Sequence, residues 1–69
     1  SESYVSVAVV SKSSADADVL STALFIADIE EGKELLKKYE GSEAMWLLKS
    51  GEKIYSAGFE ALTFEYKNN

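Results

Sequence analysis

The chain has 69 residues, and its twelve acidic side chains against seven lysines give a net charge of −5. It contains no Cys, His or Arg, which excludes disulfides, zinc-finger spacings, Ser-His-Asp triads and a guanidinium clamp for phosphate. An acidic chain without Arg is a poor candidate for nucleic-acid binding, and no apolar run approaches the ~20 residues that span a bilayer.

Residues 4–10, YVSVAVV, predict a β-strand because they are rich in β-branched side chains and alternate along the chain. One face would carry Val5, Val7 and Val9. The other face would carry Tyr4, Ser6, Ala8 and Val10. Since neither face is strongly polar, we expect a central strand that is covered on both sides.

A first helix is predicted from Ala15 to about Ala27, with Ser13 as its N-cap and Asp16 in its first turn. The apolar side chains recur at helical spacing: Val19, Leu20, Ala23, Leu24 and Ala27. Phe25 and Ile26 make the last turn apolar nearly all round. We therefore expect a buried helix that packs on more than one neighbour.

A second helix is predicted to begin after an N-cap at Asp28 and to stop at Gly41. Its buried face would be formed by Gly32, Leu35, Leu36 and Tyr39. Glu34 and Lys38 are four residues apart and are expected to form an ion pair on the exposed face.

The rest of the chain predicts strands at residues 43–49, 53–56 and 59–66. The first two are joined by Ser50-Gly51-Glu52, a short hairpin loop and not a phosphate loop. A bend is expected at Ala57-Gly58. The predicted order is β-α-α-β-β-β, an α+β fold with two helices on a mostly antiparallel sheet, forming one domain or a piece of one.

Asp18 and Thr22 are the residues that favour a chemical role, because two hard oxygen donors stand four residues apart on the first helix. Mg²⁺ prefers such ligands. By spacing alone, a solvated Asp and a Thr that bonds back to a carbonyl explain the pair better. Asp16 is better explained as a capping residue than as a third ligand. Trp46 and Tyr55 are better explained as sheet core, or as a pair across the hairpin, than as an aromatic platform for a flavin or adenine ring.

The sequence from SVAVVS through ADVLSTALF to the Ser-Gly turn and GF resembles the C-terminal section of the ApbE family, the FAD:protein FMN transferases. That section has a strand of the type SVTVVA, a helix of the type ADALATALF, a helix entry of the type GPEKGLELLEK, and a closing strand pair. The match covers roughly residues 5–59. It departs at Val19, where a small Ala is common, and in the missing Gly-Pro before the second helix.

The resemblance implies that Asp18 and Thr22 ligate the Mg²⁺ that bridges the pyrophosphate of FAD, the substrate. It implies transfer of FMN to a Ser or Thr of an acceptor protein by a larger flavin-transferase domain of which residues 1–69 form the C-terminal part. The rest of that parent chain would supply most flavin contacts, so this piece alone is not expected to bind FAD or Mg²⁺ tightly. The family also implies a bacterial periplasmic or membrane-anchored lipoprotein, although SESYVS has no signal-peptide pattern. The alternative is a non-catalytic α+β interaction or structural module that retains the family's end-piece.

Overall fold

The structure is a computed structural model that describes residues 4–67 apart from the Tyr66 side chain. Its fold is built on a three-stranded antiparallel sheet. The elements are β1 (Tyr4–Ser11), α1 (Ser14–Ile26), α2 (Ile29–Leu36), β2 (Ser42–Leu48), β3 (Lys53–Tyr55) and α3 (Phe59–Lys67). The predicted α+β class is confirmed, and so is the antiparallel sheet with two helices after its first strand. None of the helices in the described part of the chain is long and apolar enough to cross a membrane.

The strand order is β1-β2-β3, so β2 is the central strand and β1 lies at an edge of the described sheet. The expectation that β1 is central is therefore wrong within these residues. Its alternation is also interrupted, because the register shifts between Tyr4 and Ser6. This bulge turns Tyr4 to the face of Val7, where its hydroxyl donates a hydrogen bond to the Ala27 carbonyl at 3.1 Å.

Helix α1 begins as predicted, since the Ser13 hydroxyl accepts a hydrogen bond from the Asp16 N–H at 3.2 Å. Leu20 and Leu24 are fully buried, and the helix packs on both β1 and α2, which confirms the expected packing on more than one neighbour. Its apolar side chains are not all buried, however. Val19 and Ile26 are 54% and 70% exposed, so the buried part of α1 is the stripe through the two leucines.

Helix α2 follows Asp28 at once, and the Asp28 N–H donates to the Glu31 carboxylate at 3.2 Å. The helix ends at Leu36, five residues before Gly41, which adopts a φ of +84° just ahead of β2. The predicted Glu34–Lys38 pair is replaced by an ion pair between Glu34 and Lys37 at 2.8 Å.

The core lies between the two helices and one face of the sheet. Its buried side chains are Tyr4, Leu20, Leu24, Leu36, Ala44 and Trp46. Gly32 lets α2 approach closely, because a Cβ there would lie 3.0 Å from Leu24 Cδ2 and 3.0 Å from Trp46 Cζ2. The predicted inward position of Gly32 is thus confirmed, and α1, α2 and β2 meet at this point.

The hairpin of β2 and β3 turns at Gly51, whose φ of +94° fits the expected loop. The third strand predicted for this half of the chain is wrong, since residues 59–66 lie in α3. Helix formers such as Glu60 and Ala61 support this outcome. Strand alternation would place Leu62 and Phe64 on one face, whereas Leu62 is buried and Phe64 is 68% exposed.

Candidate metal centre

Asp18 and Thr22 lie on the exposed face of α1, one turn apart. The burial of Leu20 and Leu24 fixes the rotation of the helix and turns both polar side chains to solvent. Residues four apart on a helix have Cβ atoms roughly 5–6 Å from each other. A carboxylate and a hydroxyl are therefore presented side by side on an open surface.

The hydroxyl of Thr22 forms no hydrogen bond with the residues that the structure describes. The back-bond to a helix carbonyl that the spacing suggested for Thr22 is made instead by its neighbour, since the Ser21 hydroxyl donates to the Asp18 carbonyl at 3.1 Å. The Asp18 carboxylate likewise has no hydrogen bond or ion pair within residues 4–67. Both oxygen donors are thus free to bind a ligand.

Asp16 does not join this pair. It lies two residues before Asp18, which places it about 200° away around the helix. Its backbone N–H donates a hydrogen bond to the Ser13 hydroxyl, so Asp16 lies in the capped first turn, as the capping interpretation predicted. Across the described ranges no three His, Cys, Asp or Glu residues come together as a metal-binding group.

Asp18 and Thr22 offer the oxygen ligands that Mg²⁺ prefers, but two ligands are too few to fill its coordination shell. Mg²⁺ takes hard oxygen ligands at about 2.0–2.1 Å and usually binds one or two protein carboxylates together with phosphates and water. Asp18 and Thr22 would hold it from one side. Substrate oxygens, water or other protein segments would have to complete an octahedral shell.

Apolar side chains border the polar pair, a feature that the sequence interpretation missed. Val19 and Ile26 lie along one side of it and Phe25 along the other, and all three are exposed. The Phe25 ring also packs edge-on to Tyr4, with 6.4 Å between centroids. A helical projection that takes Leu20 and Leu24 as the inward stripe places these residues outside.

The aromatic platform considered for Trp46 and Tyr55 does not form. Trp46 is opposite Ile54 and fully buried, whereas Tyr55 is opposite Met45 on the other face of the sheet. The Tyr55 ring instead lies 5.4 Å from the Phe59 ring. The interpretation as core is confirmed for Trp46, although its indole N–H finds no acceptor among the described residues. It is wrong for Tyr55, which is 50% exposed and is not paired with Trp46 across the hairpin.

Comparison with family models shows a match to the ApbE family over residues 1–46. These 46 residues are two thirds of the chain and include Asp18 and Thr22 on α1, the whole of α2, and β2 as far as Trp46. Comparison with curated proteins and with solved structures found no match.

Proposed function

The chain belongs to the ApbE family, and on this premise we propose that it is the C-terminal part of a Mg²⁺-dependent flavin transferase. The enzyme would cleave FAD and attach FMN to a Ser or Thr hydroxyl of an acceptor protein. In this proposal Asp18 and Thr22 are metal ligands. The family also favours a bacterial periplasmic or membrane-anchored location.

One observation supports the proposal most strongly. Asp18 and Thr22 lie side by side on one face of a helix inside the matched region, and neither side chain is hydrogen-bonded to the described residues. A bound Mg²⁺ supplies neutralisation of the negative charge on the pyrophosphate of FAD. Asp18 and Thr22 would bind that ion. Asp18 offers a charged ligand, and Thr22 offers a neutral one whose hydrogen can point away from the metal.

The rigidity of α1 supports this role. Ser13 caps the start of the helix, and the fully buried Leu20 and Leu24 anchor its inner side. Ligands placed on a packed helix keep a more precise geometry than ligands on a loop. The remaining ligands and the flavin contacts would come from FAD itself and from the rest of the parent chain.

The test is FMN transfer by the complete gene product that contains this chain, measured as covalent flavin fluorescence on an acceptor protein after incubation with FAD and Mg²⁺. Asp18→Ala and Thr22→Ala should each lower the rate about tenfold or more. Even residues that only support metal ligands contribute about 10–100-fold, and direct ligands should contribute no less. Ser21→Ala is the matched control, because it removes a neighbouring hydroxyl that bonds within the helix. Its rate should stay within about twofold, since that neutral hydrogen bond contributes little.

Raising the Mg²⁺ concentration should restore part of the rate of Thr22→Ala, because weaker metal binding is overcome by mass action. Near-normal transfer by a folded Asp18→Ala protein would contradict the metal assignment. That result would favour the alternative, a non-catalytic module of the same family.

A further inference from the structure

Helix α3 begins without a capping signal of its own. Gly58 is its N-cap, since the Gly58 carbonyl accepts the Leu62 N–H at 3.0 Å. Glycine has no side chain that could bond the free N–H groups of the first turn. In a capping box, a Glu or Gln at the third helical position bonds back to the N–H of the N-cap residue. That position is occupied by Ala61, which cannot make this bond.

Glu43 of strand β2 makes this bond from outside the helix. Its Oε1 accepts the Gly58 N–H at 3.1 Å and the Ser56 hydroxyl at 2.6 Å. The Ser56 hydroxyl in turn accepts the Ala44 N–H at 2.8 Å, so it is bonded to the same strand. A negative charge at the start of a helix is also favourable for the helix dipole. One carboxylate therefore fastens the start of α3 to the sheet.

The rest of α3 has few anchors. The helix packs on β2 and β1, and of its described side chains only Leu62 is buried. The Phe59 ring adds a contact with Tyr55, on the face of the sheet opposite Trp46. The buried cluster between the sheet, α1 and α2 includes none of the described α3 residues. If α3 moved away from the sheet, that cluster would stay in place.

We propose that α3 is a strap that opens and closes over the face of the sheet opposite α1 and α2, and that Glu43 is the latch that keeps it closed. Gly58 is part of the latch, because a Cβ there would lie 2.7 Å from Glu43 Oε2. The carboxylate could move away from such a Cβ only by giving up the bond to the Gly58 N–H. Since hydrogen bonds to a charged acceptor are among the stronger ones, a single side chain can control whether the strap is closed.

The first test is amide hydrogen exchange of the 69-residue chain, measured by NMR at several low urea concentrations. Residues 62–65 of α3 are compared with residues 20–24 of α1. We expect faster exchange in α3 and a weaker dependence on urea, because opening the strap exposes less surface than unfolding the domain. Equal protection and equal urea dependence in the two helices would overturn the proposal, because α3 would then open only when the whole domain unfolds.

Variants of the carboxylate test the latch itself. Glu43→Ala should speed exchange at residues 62–65 about tenfold or more, while the fluorescence of the buried Trp46 stays that of the folded chain. Glu43→Gln keeps the size of the side chain without its charge and should have a smaller effect in the same direction. The matched control is Glu52→Ala, which removes an exposed carboxylate that has no hydrogen bond to the described residues, and it should change exchange less than about twofold. Unchanged α3 exchange in Glu43→Ala would overturn the proposal, and so would loss of the folded core in both Glu43 variants.

Gly58→Ala provides an independent test from the other side of the latch. In the wild-type chain its methyl group should displace the carboxylate and speed exchange in α3. In a Glu43→Ala background the same substitution meets no carboxylate, so its effect on exchange should be about threefold smaller or less. The part that remains is the ordinary preference for Gly over Ala at an N-cap. Equal effects of Gly58→Ala in the two backgrounds would contradict the latch.

Discussion

Gly32→Ala tests whether the junction of α1, α2 and β2 is as tightly packed as its geometry indicates. The new Cβ would lie 3.0 Å from Leu24 Cδ2 and 3.0 Å from Trp46 Cζ2, and both side chains are fully buried with no room to retreat. Crowding of this kind costs about 1–3 kcal/mol, while Ala gains about 1 kcal/mol over Gly in helix propensity. Because the Cβ would crowd two fully buried side chains at once, we place the crowding cost in the upper part of that range and expect a net loss of about 1–2 kcal/mol, or about 5–15 °C in Tm for a domain of this size.

The assay is urea and thermal unfolding, followed by far-UV circular dichroism and by the fluorescence of Trp46, the single tryptophan of the sequence. In a Leu24→Ala background the penalty of Gly32→Ala should shrink by about 0.5 kcal/mol or more, because one of the two crowded neighbours is gone. Gly51→Ala is the control. Its Cβ meets no atom within 4 Å, so its cost comes from a φ of +94° and should not depend on residue 24. Unchanged or increased stability of Gly32→Ala would refute the packing argument.

Two further predictions concern hydrogen-bonded groups. Ser56→Ala should cost about 1–3 kcal/mol in urea unfolding, because the buried Ser56 hydroxyl accepts the Ala44 N–H at 2.8 Å and its loss leaves that N–H unsatisfied; an unchanged free energy of unfolding would contradict this. The hydrogen bond and charge of Lys37 hold the pKa of Glu34 below its usual 4.5, so Lys37→Ala should raise that pKa in an NMR titration. Lys38→Ala should move the pKa less, and equal shifts would contradict the observed pairing. Because the folded pKa is lowered, the stabilisation is present above the usual Glu pKa and is lost as pH falls through the folded value.

The helix starts and the hairpin could be predicted because their signals are local. A cap depends on a side chain and an N–H two or three residues away, as at Ser13, where the expected bond is present. The loop at Gly51 needs a positive φ, which Gly adopts at little cost. The order of the first five elements follows from these caps and turns together with hydrophobic periodicity.

The errors arose where the outcome depends on distant residues. Alternation assigned Tyr4 to the wrong face, because the bulge that shifts it is set by pairing with β2. Periodicity alone does not distinguish an edge strand from a central one. The apolar spacing of residues 59–66 is compatible with a strand and with a helix for a few residues. In the structure the segment is helical, and the Gly58 N–H just before α3 donates a hydrogen bond to the Glu43 carboxylate at 3.1 Å.

The candidate site shows the same division between local and distant information. A spacing of four residues was enough to place Asp18 and Thr22 on one face of a helix, but not to say which way that face points. The direction follows from Leu20 and Leu24, whose burial under the sheet turns the polar pair outward. A carboxylate and a hydroxyl on an open face can hold a metal from one side, so its other ligands must approach from beyond this surface.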